Sequence, residues 1–421
     1  MELNVLDEET FELELTAMAH GGSALGRHDK QTVFVPYTIP GERVLAQVHE
    51  DRGRVAFAEG LKILDVSADR VFPQCPHFGP GRCGRCQWQH IAYEAQILLK
   101  QDVLADQLSR VGKFDDETID AAMRPLIPSE ARWGYLHHLR FEVDDADRLG
   151  LPLSRGAGVL PIEECHILHP DLLDLWTRLD FDTSKVRQLE LRIGSDGEHM
   201  VILRVDDEED APELTTDLDT SINLILPDNV PVNLIGDTHS TYTVGAHEFR
   251  VTVGSAFRPH VAQLEALAST VQNMLKLGGS ETLLDLYGGV GFFSAFLAES
   301  AGLVTLVESY PPAATDADVN LSAFDNVDIL EGRVEDVLES LDEAYDAAIL
   351  DPPAAGLSIE VMDALAQHAP KRLVYVSSDP ATLARDGQRL LKHGYRLEEV
   401  QPIDLAPQTY FIDCAALFTR S

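Results

Sequence analysis

Glu281–Ser300 reads ETLLDLYGGVGFFSAFLAES. Apolar residues flank an acid in Leu283-Leu284-Asp285-Leu286, the pattern of a parallel strand buried on both faces. Glycines follow at 288, 289 and 291, and Phe292–Leu297 then opens a helix. Strand, glycine turn and helix are the first unit of a doubly wound sheet. The glycines let backbone N–H groups approach a ligand closely, because no Cβ intervenes. A second apolar strand, Leu303–Val307, ends in Glu308. An acid at that strand tip accepts hydrogen bonds from the ribose hydroxyls of an adenosyl ligand. The glycine spacing does not match the G-x-G-x-x-G that NAD requires. D-x-Y-G-G-x-G with a late acid fits an S-adenosylmethionine fold better, against the plainer reading of an ordinary Gly-rich turn. Tyr287, Gly288, Gly289, Gly291 and Glu308 are therefore the candidate cofactor contacts.

Further along, Tyr345–Leu350 is an apolar strand ending in Asp351-Pro352-Pro353, and Arg372–Val376 is the next, ending in Ser377-Ser378-Asp379-Pro380. Acids at strand C-termini line the ligand crevice of such sheets, which adds Asp351 to the candidates. Gly394-Tyr395 begins a last pair of strands, which Thr409–Phe418 closes. The fold class expected is α/β, a class I methyltransferase sheet over residues 256–421.

The 421 residues suffice for two or three domains. No apolar run reaches the roughly 18 residues of a membrane span. The acidic start, MELNVLDEETFELEL, has no signal-peptide core, so a cytoplasmic monomer without membrane contact is expected. Aspartate and glutamate outnumber lysine and arginine 70 to 33, a net charge of −37 that by itself opposes binding a polyanion. Arg70, Arg82, Arg85, Lys100, Arg110 and Lys113 nevertheless form a locally basic island. The run Asp206–Asp210 reads as an exposed loop.

Residues 1–68 carry short strands with turn signals, such as the alternating Phe11–Leu15, Thr32–Val35 and Val44–Val48, which predicts a small β-barrel. The wording AHGGSALGRHDKQTVFVPYTIPGERV resembles a TRAM domain, an OB-like barrel found on RNA-modifying enzymes. Cys75, Cys83 and Cys86 follow at C-x7-C-x2-C spacing, and Cys165 lies far downstream. Three close thiolates and one distant one suit a four-iron cluster or tetrahedral zinc, and the chemistry alone leaves both open. A fifth cysteine, Cys414, reads as a small buried hydrophobe of the last strand.

Cys75-Pro-His-Phe-Gly, then Cys83-Gly-Arg-Cys86-Gln-Trp-Gln-His90, with Tyr93, Gln96 and Lys100 in place, resembles the iron–sulfur signature of the RNA uracil-5-methyltransferases. The resemblance runs from the barrel to the last strand. It implies a [4Fe–4S] cluster on Cys75, Cys83, Cys86 and Cys165 and a central domain over residues 69–255. It further implies S-adenosylmethionine as cofactor and rRNA or tRNA as partner. Residues 91–112 read as an amphipathic helix packing on the C-terminal domain, with Ile91, Ile97, Leu98, Val103, Leu104 and Leu108 as its apolar positions.

In that family a cysteine thiolate adds to carbon 6 of uracil, carbon 5 takes the methyl group, and a carboxylate removes the carbon 5 proton. The wording that holds the cysteine there matches Val376-Ser377-Ser378-Asp379-Pro380 here, so Ser378 stands at the nucleophile position. Asp413 stands at the general-base position, Arg258 replaces a glutamine contact to the cofactor, Ala354 replaces an arginine and Phe292 an asparagine. Leu136 stands where an arginine that engages RNA is expected, beside His137 and His138. No base for Ser378 is evident in its flanking residues. Two functions follow: an RNA (uracil-C5)-methyltransferase with an altered site, or an impaired homologue that binds RNA and cofactor without methylating uracil. A zinc-stabilised nucleic-acid binder is the third.

Overall fold

The computed structural model describes residues 10–156, 158–180, 182–210, 217–368 and 370–420. The first nine residues of the acidic N-terminal stretch lie outside them. Strands β1 (Thr10–Met18), β2 (Ala24–His28), β3 (Gln31–Val35), β4 (Arg43–Asp51) and β5 (Val55–Asp65) close a barrel in the order β1-β2-β3-β5-β4. Alternate residues such as Leu13, Leu15, Val33, Val35, Val44 and Ala46 fill it, as a period of two dictates. Its core continues into Trp88 and Ile91 of the cysteine segment. The Trp88 indole N–H donates to the Gly22 carbonyl at 3.0 Å, which seats the barrel on that segment.

Helix α1 (Tyr93–Arg110) follows, then α2 (Asp116–Ala122). Val103, Leu104 and Leu108 of α1 are buried as expected, but Leu98 is 64% exposed. The polar residues between them explain the difference. Gln96 and Lys100 occupy the inner face because each has a buried partner across the interface: Gln96 Nε2 donates to Gln408 Oε1 (3.0 Å) and Lys100 Nζ to Asp404 Oδ1 (2.7 Å). The Tyr93 hydroxyl donates to the other Asp404 oxygen, also at 2.7 Å. Lys100 is therefore no part of a basic surface. Arg70 is likewise spent, its guanidinium on Glu42 at 2.6 and 2.8 Å.

The middle of the chain builds a seven-stranded sheet from β6 (His138–Val143), β7 (Leu149–Pro152), β8 (Val159–Leu160), β9 (Gln188–Ile193), β10 (His199–Arg204), β11 (Ser221–Ile225) and β12 (Pro231–Ile235). Their order is β12-β11-β10-β9-β6-β7-β8. Helix α3 (Pro170–Arg178) stacks Trp176 on Phe141 at 4.1 Å over one face. Asp206 and Asp207 are exposed as expected, with Asp206 held by Arg187. The hairpin β13 (His239–Val244) and β14 (His247–Thr252) leads to α4 (Leu264–Leu275).

The last sheet alternates strand and helix: β15 (Thr282–Leu286), α5 (Phe292–Leu297), β16 (Leu303–Glu308), α6 (Pro311–Asn320), β17 (Val327–Glu331), α7 (Val334–Ser340), β18 (Ala347–Leu350), α8 (Ile359–His368), β19 (Arg372–Ser377), α9 (Pro380–Lys392), β20 (Arg396–Ile403) and β21 (Asp413–Thr419). The order is β17-β16-β15-β18-β19-β21-β20, with β15–β19 parallel and β21 antiparallel to both neighbours. Strand order reverses between β15 and β18, and ligands of open α/β sheets bind at such a switch point. Among the described residues no helix is long and apolar enough to cross a membrane.

Candidate active site

A cavity of about 570 Å³ opens at the C-terminal ends of β15, β16, β18 and β19. Tyr287, Gly288 and Gly289 form one wall, with Glu308 and Asp351 beside them. Phe257, Arg258, Phe292 and Ala354 line it further, and Ser378 and Asp413 complete it. The glycine turn has distinct demands at each position. At Gly288 a Cβ would sit 2.5 Å from Leu306, whereas at Gly289 (φ +56°) a Cβ would meet nothing within 4 Å. Gly289 thus exposes its backbone to open space, as close approach to a ligand requires. Gly291 (φ +84°) does not line the cavity; it packs on Leu321 and starts α5. Tyr287 takes φ +61°, a left-handed conformation unfavourable for a bulky residue.

Glu308 Oε2 accepts from the Gly289 N–H (2.9 Å), and Oε1 from the N–H groups of Ser309 and Tyr310 (both 2.7 Å). These bonds fix the carboxylate at the strand tip with acceptor capacity to spare. Asp285 lies beneath the turn, fully buried. Burial pushes its carboxyl up to about 7, against a 2.6 Å hydrogen bond from Ser294 Oγ, and its second oxygen has no partner.

Arg258 reaches across the cavity and grips Asp351 with both terminal nitrogens, each at 2.7 Å, while its Nε lies 3.9 Å from Asp413. Burial opposes the guanidinium charge, but Asp351 and Asp413 more than offset it and hold Arg258 protonated. Burial pushes Asp413 up to about 6, with Arg258 pulling the other way. Both oxygens of Asp351 are thereby engaged before any ligand arrives. His138, expected only as a neighbour of the RNA-contact position Leu136, accounts for part of this placement. Its Nε2 lies 2.9 Å from the Phe257 carbonyl, and burial lowers its pKa to about 4, so it holds that loop as a neutral ring.

Ser378 is exposed at the mouth of the cavity. Ser377, the last residue of β19, pairs with Cys414 of β21, and Ser378 and Asp413, the neighbours of that pair, both line the cavity. Among the described residues its hydroxyl has no hydrogen-bonded base. A histidine is near, but on its neighbour: His20 of the barrel lies 3.4 Å from Asp379 and, by hydrogen bonding, lowers that carboxyl to about 2. Nothing local in sequence marks a pair drawn from opposite ends of the chain. Cys414 is fully buried, and burial raises its thiol well above the ordinary value, so it supplies no thiolate to the cavity.

Cys75, Cys83, Cys86 and Cys165 line a second, smaller cavity together with Phe78, Gln89 and Ile162. Burial raises all four thiols, Cys165 to about 11. Backbone N–H groups of His77 and Phe78 face Cys75, that of Arg85 faces Cys83, and those of Ile167 and Leu168 face Cys165. Among the described residues no group of three or more His, Cys, Asp or Glu side chains is arranged to hold a metal ion.

The TRAM domain family matches residues 7–61, and the family described as tRNA (Uracil-5-)-methyltransferase matches residues 248–421. An uncharacterized RNA methyltransferase of Streptomyces avermitilis is 33% identical over 425 residues, spanning 97% of this chain and 98% of its own. The 23S rRNA (uracil(1939)-C(5))-methyltransferase RlmD of Shewanella sediminis is 33% identical, spanning 96% of this chain and 95% of its own. The structure of Pyrococcus abyssi tRNA (uracil-54, C5)-methyltransferase, solved with S-adenosyl-L-homocysteine, superposes with a TM-score of 0.73 at 20% identity, covering 97% of this chain and all of that one. That likeness confirms the fold: a closed barrel followed by a class I methyltransferase sheet. With a third of its residues identical to such relatives along almost its whole length, the chain belongs to the RNA uracil-5-methyltransferase family.

Proposed function

We propose that this protein binds S-adenosylmethionine in the 570 Å³ cavity and receives a uracil of rRNA or tRNA against Ser378 and Asp413. The observation that carries the reading is convergence: Arg258, Tyr287, Gly288, Gly289, Glu308, Asp351, Ser378 and Asp413, scattered over the last third of the chain, line one cavity. In this reading residues 1–68 and 69–255 present the RNA and residues 256–421 carry the chemistry. Glu308 would take the ribose hydroxyls, with the Gly288-Gly289 turn under the cofactor. When bound, S-adenosylmethionine supplies an electrophilic methyl group.

Ser378 Oγ would have to lose its proton and form the bond to carbon 6, after which carbon 5 would take the methyl group; Asp413 would then take the carbon 5 proton as the carbon 6–Oγ bond breaks and the ring double bond re-forms. An aspartate with a pKa near 6 is a competent base at neutral pH. The serine is the weak link, since a hydroxyl without a base is a poor nucleophile. Uracil methylation by this route is therefore severely slowed. The second reading, a homologue that binds RNA and cofactor without methylating uracil, is favoured by that serine and by the closed Arg258–Asp351 pair.

The four cysteines are the proposed ligands of a [4Fe–4S] cluster. Their convergence on one cavity with N–H groups facing the sulfurs supports it, as such donors stabilise cluster thiolates. The resemblance of the Cys75–Lys100 wording to the family's iron–sulfur signature favours it over zinc. Calorimetric titration with S-adenosylhomocysteine tests the cofactor reading. Binding that Glu308→Ala weakens at least tenfold is expected; no binding to the unsubstituted protein would remove it.

A further inference from the structure

A cleft of about 540 Å³ is lined by the barrel, the cysteine segment and the β7–β8 loop, together with Tyr410. It is separate from the cavity above but adjoins it along the chain. Tyr410 stands three residues before Asp413. Gly21 and Gly22, which line the cleft, directly follow His20, the residue that touches Asp379 beside Ser378. Short stretches of chain thus join the lining of the cleft to the surroundings of Ser378.

The lining fits a nucleotide. Arg155 is exposed and, among the described residues, makes no ion pair or hydrogen bond, in a chain whose acids outnumber its bases 70 to 33. Arg85 gives one terminal nitrogen to the Arg140 carbonyl (3.0 Å), while its Nε is shielded from solvent and unpartnered. Gln87 Oε1 is also shielded and unpartnered. Aromatic rings are present in Tyr37, Phe57 and Tyr410, and base–aromatic stacking tolerates any base. Tyr37 holds φ +61°, a strained placement of the kind found at ligand clamps. Two acids also line the cleft. Glu50 is held by Arg52 at 2.7 Å, and Glu142 suits the amino or imino N–H of a base and opposes a phosphate. The volume lies within the range of small-ligand pockets.

We propose that this cleft holds an unpaired nucleotide of the RNA strand flanking the one presented to Ser378, its phosphate at Arg155 and Arg85 and its base against the tyrosines. The proposal rests on the reading that the protein handles RNA, and the test separates the two. A fluorescein-labelled uridine hexaribonucleotide is titrated by anisotropy into the full-length protein, Arg155→Glu and Lys392→Glu, with S-adenosylhomocysteine titrated calorimetrically into each. Lys392 sits at the end of α9 and controls for a general change of charge. Arg155→Glu should weaken the hexamer about tenfold or more, Lys392→Glu less than about twofold, and neither should alter S-adenosylhomocysteine affinity. Equal losses in the two variants, or none with Arg155→Glu, would overturn the cleft while leaving the cofactor and RNA readings standing. Failure of the unsubstituted protein to bind the hexamer would overturn both the cleft and the RNA reading.

Discussion

In the proposed reading Ser378 stands at the position of the family's cysteine, and that difference of one atom decides the chemistry. A free thiol with a pKa of roughly 8.5 supplies a few per cent thiolate near neutrality, whereas a hydroxyl needs a base in contact. His20 is paired with the neighbouring Asp379 instead. We expect no stable covalent complex between the unsubstituted protein and RNA containing 5-fluorouridine, and adduct formation by Ser378→Cys, read by denaturing gel. A stable adduct formed by the serine protein would contradict this. Asp285 gives a stability test. Its folded pKa, about 7, is raised above the unfolded value of 3.8. The folded state therefore holds its proton to higher pH, and the cost of ionising it is fully present above about pH 7 and gone below about 4. Asp285→Asn should raise the unfolding free energy at pH 8 by about 2–4 kcal/mol, with the gain shrinking toward pH 5 in urea titrations. A gain independent of pH would show that the carboxyl is not strained by burial. The positions of Ser378, Glu308 and Asp351 were legible in sequence because each follows an apolar strand. The grip of Arg258 on Asp351 was not, since it joins residues 93 positions apart.

At the scale of elements, α1 carries the clearest contrast between pattern and packing. Its bounds followed from its apolar period, yet Lys100 was counted as surface charge and Leu98 as core. Composition records that a lysine is present but not that Asp404 waits across the interface with one oxygen on Lys100 and the other on Tyr93. The same contacts anchor the loop between β20 and β21, which carries Tyr410 and leads into Asp413, the first residue of β21. Removing one partner of a buried pair leaves the other charge uncompensated. Lys100→Met should cost about 3–5 kcal/mol in urea unfolding at pH 7. RNA affinity measured below the unfolding transition should be unchanged. A stability change under 1 kcal/mol with weakened RNA binding would restore Lys100 to the surface. The sheet order, by contrast, was readable in outline: buried strands alternating with helices leave few topologies. That β21 runs antiparallel between β19 and β20, bringing Asp413 to the cavity that Ser378 also lines, was beyond any local pattern.

Across the whole molecule, sites are assembled from distant segments. Cys165 joins Cys75, Cys83 and Cys86 from beyond α2 and β8, and the barrel reaches the methyltransferase sheet through His20 and Gly22. Anaerobically purified protein should contain iron and acid-labile sulfide in a 1:1 ratio, about four of each per chain. Stoichiometric zinc without sulfide would replace the cluster with a zinc site. The net charge of −37 means that RNA contacts depend on a few arginines set among acids, so the salt dependence should be shallow. In the proposed reading a cofactor- and RNA-binding scaffold is intact around a site whose nucleophile position holds a serine. Nucleoside analysis of rRNA and tRNA incubated with the purified protein and S-adenosylmethionine decides whether it is so. Little or no 5-methyluridine is expected; abundant 5-methyluridine that persists in Ser378→Ala would overturn the reading.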